Sequence, residues 1–373
     1  MSDRTTLFVP LWHPPRSGFA GGFYRARRIL ESLAHFDVIV ADTDSSDIDP
    51  DRIPGVLIRI PAQRLYARRW PLFFLMRMVN WIWTAIGLTY IGLQQRSNLD
   101  GVYVPYSEVL PLTLAGFIVA KVCKIPLILC NLNVRETALW QLNVRFHSRA
   151  DAVITISRAL ARELADSGVR APILIGSVGV DDRSIPPVAE KRYDAIFVGR
   201  HTQAKGIFDL VNIWRLCCDI QPALRLAMIG ACADHVAVQL AKRIEACGLR
   251  RNIDVLGAVS EERKWELYAC SQLCVFPSKV EGWGIVPIEA HLAGLGVVAY
   301  RLPAYEETIA ASPGARLVTL GDISAFARSV VSVLGDGVDQ SATQAWARQF
   351  TWPSTVELEE RLIASVVRSK AAH

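Results

Sequence analysis

The sequence predicts an α/β protein of two doubly wound, parallel-sheet domains, and three observations predict it. Short β-rich runs alternate with longer segments of helical period through almost the whole chain, the pattern of parallel sheets covered by helices. Most of those runs are continuously apolar, as strands buried on both faces are. The chain has 373 residues, more than a single core usually grows to, so two cores with a cleft between them are expected.

The N-terminus, MSDRTTLFVP, runs directly into the first strand, TTLFVPLW, without a charged leader, apolar core and cleavage site; this predicts a chain that is not exported. A glycine cluster, Gly18, Gly21 and Gly22, follows, and then a helix over Tyr24 to Leu33. FDVIVAD and VLIRIPA are the next strands. Residues 70 to 93, WPLFFLMRMVNWIWTAIGLTYIGL, form the most apolar stretch and have the length to span a bilayer. Arg77 and Asn80 lie within it, and a central arginine costs at least roughly 2.5 to 3.5 kcal/mol on insertion scales, so spanning is disfavoured. Arg64, Arg68 and Arg69 just upstream, with Trp70, Trp81 and Trp83 inside, suit a helix lying in the headgroup region. A helix buried against the first sheet is the alternative.

LDGVYVP, a helix over Glu108 to Cys123, PLILCNL, DAVITIS, a helix over Ser157 to Asp166 and APILIGS complete a first domain of residues 1–176. Residues 177–191 carry a double proline and no apolar period, and read as the interdomain linker. The alternation restarts in a second domain, residues 192–350, with YDAIFVG, a helix over Ile207 to Cys218, LRLAMIG, a helix near His235 to Cys247, and IDVLG. A helix capped by Ser260, with Glu261 and Glu262 in its first turn, comes next. LCVFPS, a helix from about Val286 to Ala293 closed by Gly294, and VVAY finish a second doubly wound unit.

Apolar residues make up 51% of the chain and charged residues 21%, which excludes a disordered chain. The net charge of +5 is modest, but Arg25, Arg27, Arg28, Arg64, Arg68, Arg69 and Arg77 gather in the first half. A basic half suits an anionic partner. Phospholipid headgroups, a diphosphate-linked acceptor and nucleic acid all answer to that charge, and charge alone does not choose among them. The eight cysteines are scattered without zinc-type spacing and read as reduced core residues.

The strongest constellation is PSKVEGWGIVPIEA, Pro277 to Ala290, between an apolar strand and a short helix. Gly282 and Gly284 remove side chains where a ligand approaches the backbone. Pro287 suits the first turn of a helix, because its missing N–H would have had no intrahelical partner. The N–H groups of Gly284, Ile285 and Val286 then sit at the positive end of a helix dipole, a phosphate site. Glu289, in that first turn, offers a carboxylate to both hydroxyls of a ribose, and Glu281 projects from the entering loop. A second constellation, Gly199, Arg200, Lys205 and Gly206 in VGRHTQAKGIFDLV, stands at another strand end, where ligands of open α/β sheets bind. Arg200 and Lys205 neutralise a departing diphosphate in place of a metal; no Asp-x-Asp pair stands at a comparable strand end.

This second half resembles the nucleotide-binding domain of the retaining GT-B glycosyltransferases, specifically glycosyltransferase family 4. The resemblance rests on the Gly-Arg-x4-Lys-Gly element and on Glu281 and Glu289 separated by seven residues. It extends to about Gln349, and Phe350-Thr351-Trp352 resembles the family's aromatic signature before a C-terminal helix, residues 353–373, that packs back on the first domain. The resemblance implies two Rossmann-like domains facing across a cleft. It implies a catalytic set of Glu281, Arg200 and Lys205, with Arg200 and Lys205 on the donor pyrophosphate, Glu289 on the ribose, and Glu281, Gly284 and Ile285 facing the sugar and its phosphate. Gly21 and Gly22 resemble the family's glycine-rich loop, which approaches the donor diphosphate from the opposite side.

Family members commonly carry a histidine after the strand corresponding to PLILC; here the chain reads Asn131-Leu132-Asn133-Val134-Arg135-Glu136. Asn131 or Asn133 is the candidate for a sugar contact, and neither is a general base at neutral pH. His147 reads as structural. The function implied is transfer of a hexose from a nucleotide diphosphate sugar to a glycan or polyprenyl-diphosphate-linked acceptor, with retention, without metal or other cofactor and without nucleic acid. Its place would be cytoplasmic, peripheral on the inner face of the plasma membrane. A nucleotide-sugar epimerase of the same fold and a catalytically silent binding module are the alternatives. Base choice would rest near Gly257, Ala258 and Pro277.

Overall fold

The apolar runs do become strands. In the computed structural model, which describes residues 4–12, 20–43, 48–61, 72–133, 138–182 and 191–371, the chain divides into two units. The first runs to Gly179 and takes up the chain again from Trp352; the second is Val180–Thr351. Ser177 to Gly179, expected in the linker, therefore belong to the first unit. Val180 belongs to the second because its N–H donates to the carbonyl of Phe350 at 2.9 Å. Residues 183–190 lie outside the described residues.

The first unit contains β1 (Thr5–Pro10), α1 (Ala20–Leu30), β2 (Phe36–Thr43), β3 (Gly55–Ile60), α2 (Leu72–Gln94), β4 (Gly101–Val104), α3 (Leu110–Cys123), β5 (Leu127–Asn131), α4 (Ala138–His147), β6 (Ala152–Thr155), α5 (Arg158–Asp166) and β7 (Ile173–Ile175). All seven strands are parallel, in the order β3-β2-β1-β4-β5-β6-β7. α5 starts where Ser157 takes the N–H of Leu160 at 3.1 Å, as a capping serine does. α2 begins near the expected apolar segment and is a single helix; no described helix is long and apolar enough to cross a membrane.

The second unit contains β8 (Tyr193–Val198), α6 (Ile207–Ile220), β9 (Leu226–Ile229), α7 (Asp234–Ala246), β10 (Ile253–Gly257), α8 (Glu261–Ala269), β11 (Ser271–Phe276), α9 (Ile285–Leu292), β12 (Gly296–Tyr300), α10 (Pro303–Thr308), β13 (Ala315–Val318), α11 (Ile323–Asp336) and α12 (Gln340–Ala347). Its parallel strands run β10-β9-β8-β11-β12-β13. The order reverses direction between β8 and β11, which makes that seam the topological switch point.

A last helix, α13 (Trp352–Ala371), returns to the first unit. Trp352, Val356 and Ile363 join Leu7, Val9, Val38, Ile128 and Ile154 in one buried apolar cluster. Glu359, fully buried, pairs with buried Arg25 of α1 at 2.7 Å and accepts the Tyr103 hydroxyl at 2.6 Å. The remaining reach of Arg25 goes to the carbonyl of Ser177 at 2.9 Å. A buried charge pair is tolerable because its hydrogen-bonding capacity is met this way. The next residue, Glu360, accepts the N–H groups of Ala34 and His35 at 2.6 and 2.9 Å, closing the carboxyl end of the α1 segment.

Candidate active site

β8 ends at Val198, and the chain passes through Gly199 and Arg200 into a 3-10 turn, Gln203–Lys205. Gly206 joins that turn to α6 at φ 69°, and a Cβ there would lie 1.9 Å from the carbonyl oxygen of Pro277. Glycine alone lets the loop after β8 rest on the loop after β11. The two loops are then tied side chain to side chain. Lys205 pairs with Glu281, a residue 76 positions away, and Lys279 pairs with Asp209 of α6 at 3.0 Å.

The loop after β11 enters α9 at Gly284, which is its N-cap at φ 109° with no capping side chain. A Cβ on Gly284 would stand 2.8 Å from the ring of Tyr305. The first N–H groups of α9 are thus left without a side-chain acceptor and point at whatever occupies the site, as at an anion-binding helix terminus. Glu289 is the fifth residue of α9, one residue past the first turn in which the sequence placed it. It is largely but not fully buried, and it is held by Lys264 of α8 at 2.9 Å and by the Tyr268 hydroxyl at 3.2 Å. Burial pushes the Glu289 carboxyl above the usual carboxylate range, a shift Lys264 opposes. Burial pulls the Lys264 ammonium down, but Glu289 and Glu261 together carry it above its usual value.

These residues surround one cavity of about 530 Å³, within the ordinary range of small-molecule sites. Four strand ends contribute to it: Val198, Gly199 and Arg200 after β8, Ile229 to Ala231 after β9, Ala258 and Val259 after β10, and Phe276 after β11. Lys205, Glu261, Lys264, Glu281, Trp283, Gly284, Ile285, Val286 and Glu289 complete the wall. Arg200 is exposed and has no ion-pair partner among the described residues. An unpaired guanidinium and a helix N-terminus around one cavity suit an anionic ligand, while the two ammonium groups are each matched by a carboxylate of the wall.

Of the residues singled out from the sequence, Gly199, Arg200, Lys205, Glu281, Gly284, Ile285, Val286 and Glu289 are brought together here. Gly282 is not in the wall, and a Cβ on it would meet nothing within 4 Å. Gly21 and Gly22 are not in a loop: both lie in the first turn of α1, which starts before the expected Tyr24, and Gly22 packs against the Tyr106 ring. Gly18 lies outside the described residues. Asn131 ends β5 fully buried and accepts the N–H of Asn133 at 3.1 Å, while Asn133 is exposed; positions 134 to 136 lie outside the described residues. His147 is buried, with Nδ1 2.8 Å from the Asn143 carbonyl and Nε2 2.9 Å from the Ser107 hydroxyl. Burial drives it down to about 4, so it is neutral at physiological pH.

Sequence reasoning missed Lys264 and Trp283. Lys264 sits in a charged run, EERKWELY, that reads as a solvated helix face. Trp283 lines the cavity with its indole N–H buried and without an acceptor among the described residues; its place between Gly282 and Gly284 was the available signal.

The whole chain has the architecture of Anabaena HepE, whose crystal structure contains UDP: TM-score 0.74 at 18% identity, over 97% of this chain and 100% of that one. The fold is GT-B. Residues 181–349, just under half of the chain, match the sequence model of the family described as Glycosyl transferases group 1, so the second unit is similar to that family. A lipopolysaccharide core biosynthesis mannosyltransferase of Rhizobium leguminosarum bv. viciae is 34% identical over 106 residues, 28% of this chain and 30% of that protein. A GDP-mannose:cellobiosyl-diphosphopolyprenol alpha-mannosyltransferase of Xanthomonas campestris is 26% identical over 166 residues, 43% of this chain and 44% of that protein. The chain thus aligns with less than half the length of these curated relatives.

Proposed function

We propose that this protein transfers a hexose from a nucleoside diphosphate sugar to a lipid-linked glycan acceptor, with retention of anomeric configuration and without a metal ion. The observation that carries the reading is the cavity at the switch point of the second unit. There Arg200, Lys205, the N-terminus of α9 and Glu289 converge. A diphosphate fits the cations and the free N–H groups, and a ribose diol fits the carboxylate of Glu289.

In the proposed reaction the bond from the sugar C1 to the phosphate oxygen breaks, and a bond from C1 to the acceptor hydroxyl oxygen forms on the same face. The acceptor proton passes to an oxygen of the departing diphosphate, so the chain need not supply a base. Arg200 and Lys205 stabilise the charge that grows on the leaving group, which fixed cations in a walled site do without reorganising. Glu281 orients Lys205 through their ion pair and stands beside the sugar. The names of the relatives support mannose as the sugar and a polyprenyl-diphosphate acceptor, as in family 4; the place of action would be the cytoplasmic face of a membrane.

The test is transfer of labelled mannose from GDP-mannose, with UDP- and ADP-sugars alongside, to a polyprenyl-diphosphate disaccharide in EDTA-treated buffer. Product that disappears in Lys205→Ala supports the reading; turnover only on readdition of a divalent cation refutes its metal-free part. Absence of binding to every nucleotide tried refutes it altogether.

A further inference from the structure

α2 carries two opposed apolar faces, and the core takes only one of them. Thr84, Ala85, Leu88 and Ile91 are buried against the first unit. Met78, Val79, Ile82, Trp83, Ile86 and Tyr90 point the other way, with Met78, Ile82, Ile86 and Tyr90 each more than half exposed at 57%, 56%, 60% and 61%. At about 100° per residue the six outward side chains fall within an arc of about 140°, roughly opposite the buried set. A continuous apolar stripe on a helix flank is a contact surface awaiting a partner.

We infer that this outward face of α2 docks on an anionic lipid bilayer. Charge selects the partner. From Arg52 to Leu99 the chain contains no Asp or Glu, while Arg59, Arg64, Arg68, Arg69, Arg77 and Arg96 fall in the same stretch. α3, which packs on α2, adds Lys121 and Lys124 on either side of Val122, all three exposed. Trp83 and Tyr90 are amphipathic rings of the kind that settle at headgroup depth. A second copy of the chain is the poorer occupant, because a two-fold contact through α2, a helix without an acidic residue that packs beside exposed Lys121 and Lys124 of α3, would set like charges against each other. With no described helix able to cross a membrane, the contact is one of lying on the surface. The inference does not rest on the donor chemistry, so its failure would leave the proposed reaction standing.

Flotation of the full chain with vesicles tests it, without donor or acceptor. We expect recovery with phosphatidylcholine vesicles containing about 30 mol% phosphatidylglycerol, little with phosphatidylcholine alone, and weaker recovery as salt screens the headgroups. The double variant Ile82→Glu, Ile86→Glu should lower the partition coefficient at least about tenfold, since two charges enter the interface. The changed side chains are outward-facing, so its thermal midpoint should match wild type, and the milder Trp83→Ser should shift partition in the same direction. Failure of the wild-type chain to float with anionic vesicles overturns the inference, as does unchanged flotation of the double variant. Light scattering that shows a lipid-free dimer dissolved by that variant also overturns it, in favour of a second copy.

Discussion

Replacing Lys264 by methionine keeps an unbranched apolar stem of similar length and removes the charge that faces Glu289. Lys264 and Glu289 are 13% and 12% exposed in their side chains and meet at 2.9 Å. Deleting one partner of such a pair costs about 3–5 kcal/mol if the other stays charged. Glu289 escapes part of that cost by taking up a proton, because burial already holds its carboxyl above the usual range and Lys264 is the main opposing influence. In the proposed site a protonated Glu289 would no longer accept both hydroxyls of a ribose as an anion, and since charge-assisted hydrogen bonds contribute about 1.5–3 kcal/mol, nucleotide affinity should fall roughly 10- to 150-fold near neutral pH.

The sign with pH follows. A carboxyl whose folded value lies above its unfolded value binds more protons when folded, so its stabilising effect is present below the unfolded value and lost as pH rises through the folded one. Lys264→Met should therefore lose thermal stability relative to wild type as pH rises above the ordinary carboxylate range, while its nucleotide affinity recovers over the same interval. Calorimetric titration with GDP and UDP from pH 6 to 9, beside melting curves at each pH and Glu289→Gln as the pH-insensitive control, measures both. Wild-type affinity in Lys264→Met with no slope in pH would refute the reasoning.

Arg200→Ala removes an exposed, unpaired guanidinium; kcat/KM should fall about 10²–10³-fold, as for a lost transition-state donor, with the melting midpoint unchanged in calorimetry. Gly284→Ala places a Cβ 2.8 Å from the Tyr305 ring at φ 109°, so urea unfolding should show a loss of about 1–3 kcal/mol and nucleotide binding should weaken with it. Glu359→Gln leaves buried Arg25 without its carboxylate, and a cost of about 3–5 kcal/mol should appear in chemical denaturation of the first unit. His147 and His291 are both held down to about 4 by burial. A depressed histidine binds fewer protons when folded, so the protein should lose stability as pH falls from about 6.5 towards 4, and His147→Gln should flatten that slope in acid titrations followed by circular dichroism.

The strands were legible because burial on both faces writes itself as uninterrupted apolar runs, as in β4, β5 and β6; β3, half exposed and carrying Arg59, was legible from its β-rich composition alone. β13 escaped notice because ARLV is a four-residue edge strand with an exposed arginine at its second position, and α10 to α12 went with it. α1 was read four residues short because Ala20-Gly21-Gly22 opens it, and glycines argue against a helix on propensity alone. At the site, the residues carried by local chain geometry were readable: a glycine turn into a helix and a basic pair after a strand. What depends on tertiary packing was not. Nothing local in EERKWELY says that Lys264 meets Glu289 25 positions on, or that Lys205 spends its charge on Glu281.

The Arg25 to Glu359 pair also sets an order of events in biosynthesis. Its partners are 334 positions apart, with the whole second unit made between them. At about 5–20 residues per second, α1 waits roughly 17–67 s on the ribosome with the charge of Arg25 unmatched. The first unit is begun first and completed last, and Trp352, Val356 and Ile363 reach its core only then. A stall or a nonsense codon late in the message would thus leave the second unit whole and the first one open, with its defect at the end of the chain farthest from where it began.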